Sequence, residues 1–324
     1  MPYIRQFINH VAMAYVILVL LFVNSALYAK DESPETYLKR GVSLIKQNQF
    51  HQAIDDFNAV LKIKPKSVAA YVNRGLAFSL LGDYVSAIDD YSLAIGMDKH
   101  NSEIYCNRGQ AYLNKGDIES AIADFDQAVR LNLKSFTVYL SRGNAYLLKG
   151  SLPQALIDFN AAVELNPNDP TGYTSRAMCL SQMQKYPQAL IDFGKAISMD
   201  RNAITTWEGR GTCYYRMGEY DQAISDLNYA LSLSGKNASA YTLRGMCYYA
   251  KGDSDKAILD YNSAIEYSPQ SPSAYYNRAL CWFKKREFDK AWEDIKSCRI
   301  HAGKPSQTFI TVLEEESGIK DDLK

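Results

Sequence analysis

The segment Tyr71–Ile95, YVNRGLAFSLLGDYVSAIDDYSLAI, contains two apolar patterns that are separated by a turn signal. On both sides of Leu81-Gly82-Asp83, apolar or small residues recur three and four positions apart, which is the spacing of one face of an α-helix. Glycine often ends a helix, and aspartate often caps the helix that follows. The segment therefore predicts a helix, a tight turn and a second helix.

The same pattern returns every 34 residues along most of the chain, as from Arg40 to Arg74. An Arg-Gly or Arg-Ala pair occurs eight times at this spacing without an insertion, and an alanine follows each pair at a constant distance. A period of this length is typical of stacked helical hairpins. The arginines of the eight pairs are Arg40, Arg74, Arg108, Arg142, Arg176, Arg210, Arg244 and Arg278.

The repeated units resemble tetratricopeptide repeats. The resemblance rests on an aromatic residue that opens the first helix, the glycine after the arginine, and an alanine, an aromatic and a second small residue on the second helix. In the second unit these residues are Tyr71, Gly75, Ala87, Tyr91 and Ala94. The resemblance covers residues 34–305 and implies an all-α fold, a right-handed superhelical solenoid of eight 34-residue helix-turn-helix repeats. It specifies the fold well and the chemistry poorly.

Residues 306–324 depart from the repeat pattern. Phe309, Ile310 and Leu313 lie on one side of a predicted helix, and the acidic run Glu314–Glu316 follows them. An open solenoid needs an element that shields the apolar face of its last repeat. We therefore expect a C-terminal capping helix, followed by a charged and frayed tail.

Residues 1–29 differ in composition from the rest of the chain. Arg5 is their only charged residue, residues 11–23 carry no strongly polar side chain, and a small-residue end reaches Ala29. These are the parts of a secretory signal peptide, which predicts cleavage near Ala29 and export to the periplasm or the medium. An uncleaved anchor is the alternative, because the apolar character approaches the ~20 residues that a membrane span requires. Residues 4–29 would then associate with a membrane.

Each unit also carries an aspartate at a constant distance after its arginine, as with Arg74 and Asp90. In an antiparallel hairpin these two positions lie at the same height, so the side chains can pair within a unit or with a neighbouring one. Partly buried charges are tolerated only when they are paired and hydrogen-bonded. Because eight copies of a catalytic pair make no mechanistic sense, we interpret the pairs as a structural ladder. The aspartates are Asp56, Asp90, Asp124, Asp158, Asp192, Asp226, Asp260 and Asp294.

Composition and motifs argue against several function classes. The 36 basic residues balance 36 acidic residues, so no positive surplus favours nucleic acid. Four of the six cysteines recur at the spacing of the repeat, and equivalent positions on packed helices are too distant for a disulfide. No metal-ligand spacing, phosphate loop or nucleophile motif is present. We therefore expect no enzyme activity, no metal, no cofactor and no small-molecule substrate.

The resemblance implies a concave groove, formed mainly by the first helix of each repeat, that receives an extended or helical peptide. Some family members hold a C-terminal carboxylate there with a Lys/Asn cluster. Asn73 and Asn107 match part of that cluster, but Leu38, Val72 and Cys106 stand where lysines are needed, so we expect no such clamp. Candidate partner-binding residues are Asn107, Gln110, Asn144, Tyr215, Arg216, Tyr249, Tyr276 and Phe283. Alternatively, the tyrosines belong to the repeat consensus and are packed between neighbours.

These features together predict a non-catalytic scaffold or adaptor, exported or membrane-anchored, that holds peptide or helical segments of other proteins. Two alternatives remain open. One is an accessory subunit of an envelope enzyme or of a secretion or polysaccharide-export machine. The other is a secreted effector or, less in keeping with the incomplete clamp, a chaperone-like receptor.

Overall fold

The computed structural model describes residues 33–131 and 134–321. These residues form seventeen α-helices and no β-strand, which confirms the all-α fold. The helices are α1 (Pro34–Lys46), α2 (Phe50–Ile63), α3 (Val68–Leu81), α4 (Tyr84–Met97), α5 (Ser102–Lys115), α6 (Ile118–Arg130), α7 (Phe136–Leu148), α8 (Leu152–Leu165), α9 (Pro170–Gln182), α10 (Tyr186–Met199), α11 (Ile204–Met217), α12 (Tyr220–Leu233), α13 (Ala238–Ala250), α14 (Ser254–Tyr267), α15 (Pro272–Lys284), α16 (Phe288–Ile300) and α17 (Gln307–Ser317).

The helices pair into eight hairpins, which we number as repeats 1 to 8, with a first helix A and a second helix B. The chain divides into two compact units: unit 1 contains repeats 1–3, and unit 2 contains repeats 4–8 and α17. Within each unit, the A helix of one repeat packs on the B helix of the repeat before it. This stacking is the one expected of a helical-repeat array.

The turns inside the hairpins follow the chemistry of their residues. Gly82 and Gly116 end their A helices with φ of 82° and 90°, a left-handed conformation that glycine adopts at little cost. Asp83 and Asp117 then cap the B helices by accepting a hydrogen bond at 3.1 Å from the backbone N–H three residues later. Repeat 5 lacks the glycine, and Gln184 takes the left-handed conformation with φ of 60°.

In most repeats, a large B-helix side chain presses onto the A helix of the same repeat. A Cβ added to Gly75 would lie 2.9 Å from Cε1 of Tyr91, and one added to Gly143 would lie 2.7 Å from Cε1 of Phe159. Both rings are almost fully buried. A residue without a β-carbon is needed for this close approach, which explains the glycine of the Arg-Gly pairs.

Repeat 5 packs its aromatic side chain differently. Ala177 replaces the glycine, so a methyl group occupies the space that the ring uses elsewhere. The ring of Phe193 instead approaches Gly209 on the A helix of repeat 6, where an added Cβ would lie 2.7 Å from Cε1. The glycine at 209 is therefore needed because of the alanine at 177, and α11 carries no side chain at that point of its surface.

The helix α17 continues the repeat period as an A helix without a partner. Phe309 lies one full period after Tyr275, the aromatic residue that opens α15. Ile310 and Leu313 are buried against α16 in a cluster that contains Trp292. The expected capping helix is thus confirmed.

The tail beyond α17 is held in place as far as Asp321, so the expectation of a frayed end is wrong there. Arg299 donates two hydrogen bonds to the carboxylate of Asp321 at 2.7 and 2.6 Å. The backbone N–H of Asp321 donates to Oε1 of Glu314 at 2.8 Å. These contacts tie the tail to both α16 and α17.

The predicted signal peptide or membrane anchor at residues 1–29, with its cleavage point near Ala29, lies outside the described residues. Among residues 33–131 and 134–321, no helix combines the length and the apolar character of a membrane span.

Candidate partner-binding groove

The Arg–Asp pairs form within each repeat, as one of the two arrangements expected. In all eight pairs, Nε and Nη2 of the arginine donate to the two carboxylate oxygens at 2.6–2.8 Å. The aspartate side chains are only 2–8% exposed. Such two-pronged pairing satisfies the geometry of both groups and makes their burial tolerable.

Several arginines also reach back to the preceding repeat. Nη1 of Arg176 donates to Asn160 at 3.1 Å, and Nη1 of Arg108 donates to the hydroxyl of Ser92 at 2.9 Å. Repeat 6 lacks this link, because Gly194 stands at the corresponding position of α10 and offers no side-chain acceptor. The ladder therefore joins neighbouring repeats as well as the two helices of one hairpin.

Each ladder arginine also lies over the aromatic residue that opens its A helix, with Cζ 4.9–5.8 Å from the ring centroid. The hydrogen bonds that Arg74 and Arg176 donate to their aspartates raise the pKa of both guanidinium groups above the ordinary value. These guanidinium groups stay charged and are engaged on several sides. The ladder is structural, and no reactive group is left in it.

The six cysteines are all free thiols, and five of them are buried. Burial raises the pKa of both Cys247 and Cys281 to about 12, and that of Cys106 to about 11. Thiols with such pKa values are poor nucleophiles at neutral pH. Among the described residues, no cluster of three or more His, Cys, Asp or Glu side chains could hold a metal ion.

The predicted groove residues of unit 1 are Asn107 and Gln110, both half-buried on α5. Nε2 of Gln110 donates to Oδ1 of Asn114 at 3.0 Å, so these two amide groups are hydrogen-bonded to each other. Apolar Leu76 and Leu80 are exposed on the neighbouring helix α3. This part of unit 1 therefore combines exposed aliphatic side chains with a hydrogen-bonded amide pair.

The predicted residues of unit 2 lie on four A helices. Asn144 is half-buried on α7, and Arg216 is exposed on α11. Tyr215 and Tyr249 are half-buried, and burial raises the pKa of both hydroxyl groups. Tyr215 lies against Tyr220, with ring centroids 5.8 Å apart, and Lys284 lies over the ring of Tyr249. Part of each side chain remains exposed.

The last two predicted residues serve partly in packing. Tyr276 and Phe283 both meet Phe309 of α17 edge to face, at 5.9 and 5.4 Å between ring centroids. Phe283 also lies 5.9 Å from Phe288. The capping helix thus covers part of the aromatic surface that the sequence assigned to the groove.

A small cavity of about 80 Å³ opens on the A-helix face of unit 2 between repeats 5 and 6. Its lining residues are Met178, Ser181 and Gln182 of α9, and Gly209, Thr212 and Arg216 of α11. Arg216 is among the candidate partner-binding residues predicted from the sequence. Gly209 and Gln182 were missed, although Gly209 is the sole glycine at its position in the eight repeats, a departure that the sequence does show.

The family comparison agrees with the repeat architecture. Tetratricopeptide repeat models match residues 38–102 and 106–170, residues 204–237 and residues 245–285, which together are more than half of the chain. The chain belongs to the tetratricopeptide repeat family. Members of this family bind other proteins or peptides and are typically non-catalytic scaffolds. No curated protein matches the sequence significantly.

Solved structures with the same fold include several tetratricopeptide repeat proteins. One from Parabacteroides merdae is 21% identical, covers 78% of this chain and 99% of its own, and has a TM-score of 0.65. The APC/C hetero-tetramer Cut9–Hcn1 gives 19% identity, covers 82% of this chain and 52% of its own, and has a TM-score of 0.64. A monomeric mutant of IFIT1 with Gppp-AAAA gives 17% identity, covers 90% of this chain and 76% of its own, and has a TM-score of 0.57. At these identities the likeness concerns the fold alone.

Proposed function

We propose that this protein is a non-catalytic scaffold that holds a segment of another protein against the A-helix face of unit 2. The observation that carries the proposal is the contrast between two sets of side chains. The ladder arginines, such as Arg176, pair with buried aspartates, whereas Arg216 is exposed without an ion pair among the described residues and Tyr215 and Tyr249 are only half-buried. Aromatic and arginine side chains are the residue types that dominate protein interfaces.

The charge balance supports a protein partner over a nucleic acid. Basic and acidic residues are equal in number, so the chain offers no broad positive surface for a phosphate backbone. In unit 2 the A-helix face presents aromatic rings with a few charges, a composition that suits an amphipathic or extended peptide. We assign no small-molecule substrate, metal or cofactor to it.

We also propose that the N-terminal segment directs the chain out of the cytoplasm. The support is the apolar run at residues 11–23 and the small-residue end at Ala29. N-terminal sequencing of the protein isolated from its natural source should begin at Lys30. A chain that begins at Met1 and fractionates with membranes would replace export by anchoring.

Partner capture tests the scaffold role. The variant Tyr215→Ala/Tyr249→Ala should lose stoichiometric partners that the unchanged protein retains, while its far-UV circular dichroism stays the same. The matched control is Ile157→Ala/Ile191→Ala, since these side chains are 67% and 72% exposed on the B helices of repeats 4 and 5. If the control loses the partners and the groove variant keeps them, the binding face is the B-helix side and the proposal is wrong.

The identity of the captured partner separates the narrower roles. Subunits of an envelope enzyme, or of a secretion or polysaccharide-export machine, would make the protein an accessory subunit of that assembly. If the captured partners come only from another organism, the protein is a secreted effector.

A further inference from the structure

The cavity between repeats 5 and 6 combines a free positive charge with an unused hydrogen-bonding group. Arg216 is exposed at the cavity wall and forms no ion pair with any described carboxylate. Ser181 is 4% exposed, and its Oγ is buried without a hydrogen-bond partner among the described residues. The nearby thiol of Cys213 is only a weak acceptor. A buried hydroxyl without a good hydrogen-bond partner destabilises the protein. A ligand that accepts a hydrogen bond from this hydroxyl would remove that cost.

The surroundings of this site decide the sign of the ligand. Glu208 is two helical turns before Arg216, which is about 12 Å along α11, so it does not neutralise the guanidinium. Burial raises the pKa of Glu208. Lys284, two repeats further along on α15, lies over the ring of Tyr249 at 5.4 Å. Arg216 is the one charged side chain among the residues that line the cavity, and a negative group is its complement.

The shape of the site decides the size of the ligand. About 80 Å³ is room for a small group, and Gly209, which carries no side chain, forms part of the wall. Met178, 41% exposed, offers an apolar contact beside the charge. Further A-helix side chains lie on both sides, with Asn144 in repeat 4 and Tyr249 in repeat 7, so a partner chain can run past the cavity rather than end in it.

We propose that this cavity anchors the carboxylate of an aspartate or glutamate side chain within an extended partner segment. Arg216 donates two N–H groups to the carboxylate, the hydroxyl of Ser181 donates a third hydrogen bond, and Met178 packs against the aliphatic part of the acidic residue. Paired N–H donation to a carboxylate is both strong and directional. This assignment rests on the proposed function, since it specifies what the partner segment must contain.

Unit 1 supplies an internal counterpart without the anchor. Three repeats earlier, Ser79 stands at the position of Ser181, and its Oγ is likewise buried without a partner among the described residues. However, Asn107 replaces Gly209, and Asn114 replaces Arg216 while accepting a hydrogen bond from Gln110. The same backbone position thus lacks both the space and the charge.

Binding of defined peptide pools to the full chain tests the anchor. One pool contains N-acetylated, C-amidated dodecapeptides with a central glutamate between randomised Leu, Ala, Ser and Tyr positions, and a second pool has glutamine at the centre. The glutamate pool should bind at least about tenfold more tightly than the glutamine pool. Arg216→Gln should abolish that preference, Arg216→Lys should retain part of it, and Ser181→Ala should weaken it several-fold.

The control variants are Lys284→Gln, which removes the cation at the equivalent position two repeats later, and Ser79→Ala, which removes the counterpart hydroxyl in unit 1; both should keep the preference. Equal binding of the two pools, or no binding of either, overturns the anchor, as does a preference that survives Arg216→Gln. Tighter binding of a glutamine pool with a free C-terminal carboxylate than of the amidated glutamate pool overturns it as well. Partner capture that still depends on Tyr215 and Tyr249 would then leave the scaffold role standing without this anchor.

Discussion

Repeats 2–3 in unit 1 and repeats 5–6 in unit 2 are related by three periods, yet they use equivalent positions differently. In repeats 2–3, Asn107 is present and Gln110 and Asn114 are hydrogen-bonded to each other. In repeats 5–6, Gly209 and Arg216 line a small cavity, and Arg216 has no carboxylate partner among the described residues. The hairpins have the same helix pattern, so a few side chains alone make one face self-satisfied and the other ready for a ligand.

The difference begins in the packing below the surface. Ala177 stands where most repeats have glycine, and the ring of Phe193 approaches Gly209 of the next repeat. The surface glycine is therefore a consequence of a core substitution one repeat away. Gly209 thus belongs both to the proposed binding site and to the contact with Phe193. Substitutions in the two regions can separate these two roles.

The largest effect is expected from breaking the ladder, and it should be equal in the two regions. Asp90→Leu and Asp192→Leu should each lower the free energy of unfolding by about 3–5 kcal/mol, because each leaves a partly buried guanidinium unpaired. Urea unfolding followed by circular dichroism measures the loss. The two arginines have matching surroundings, with Asn58 and Asn160 as their additional acceptors.

Removing both partners is the control for the ladder. Arg176→Leu/Asp192→Leu should be less destabilised than Asp192→Leu alone, because no unpaired charge remains. Additive losses would contradict the pairing, and a loss in only one region would show that the ladder differs between the units.

A smaller effect is expected when Gly209 is replaced by asparagine, the residue that unit 1 has at the equivalent position 107. Gly209→Asn should cost about 1–3 kcal/mol of stability, because its Cβ would lie 2.7 Å from Cε1 of Phe193. Adding Ala177→Gly should recover most of the loss, since the ring could then approach its own repeat as Tyr91 does. If the two changes are additive in urea unfolding, the link between the core alanine and the surface glycine is wrong.

A gain is expected where repeat 6 lacks a link. Gly194 occupies the position of Ser92, which accepts a hydrogen bond from Arg108 at 2.9 Å. Gly194→Ser should raise the free energy of unfolding by about 1 kcal/mol, from the new hydrogen bond of Arg210 and from the better helix propensity of serine. When Arg210 is replaced by alanine, Gly194→Ser can gain stability only from helix propensity. Its increase in the thermal unfolding midpoint should therefore be smaller than in the unchanged protein.

The smallest effect concerns pH and Glu208, whose counterpart in unit 1 is Cys106. The folded-state pKa of Glu208 is raised above 4.5 by burial, with Asn237 acting in the opposite direction. The folded protein therefore binds the proton more readily, so this contribution to stability is complete below the unfolded pKa and is lost as pH rises through the folded pKa. Glu208→Gln should be the more stable form at neutral pH.

That difference should shrink as pH falls toward 4, measured as unfolding midpoints across the range. A variant that loses stability at neutral pH would show that the Glu208 carboxylate has a favourable partner.

Much of the fold could be predicted because it follows from a regular period. The recurrence of Arg-Gly and of the B-helix aromatic predicts hairpins, their length and their stacking, and the eightfold copy number identifies Arg74–Asp90 as packing. The groove was harder to predict. Tyr276 and Phe283 stand at groove positions of the repeat pattern, yet the ring of Phe309 on the capping helix partly covers both. The tail was misread because the pairing of Arg299 with Asp321 depends on where α17 returns the chain.

The amino-acid pattern alone was enough to establish an array of eight helical hairpins with a capping helix, because apolar spacing and turn residues act locally and repeat in phase. The three-dimensional packing was needed to show that each arginine pairs inside its own repeat and that Phe193 meets Gly209 of the next repeat. Such contacts depend on how closely two helices approach and on which rotamer the space permits. The cavity beside Arg216 is likewise a feature of the packed helices and not of any sequence motif.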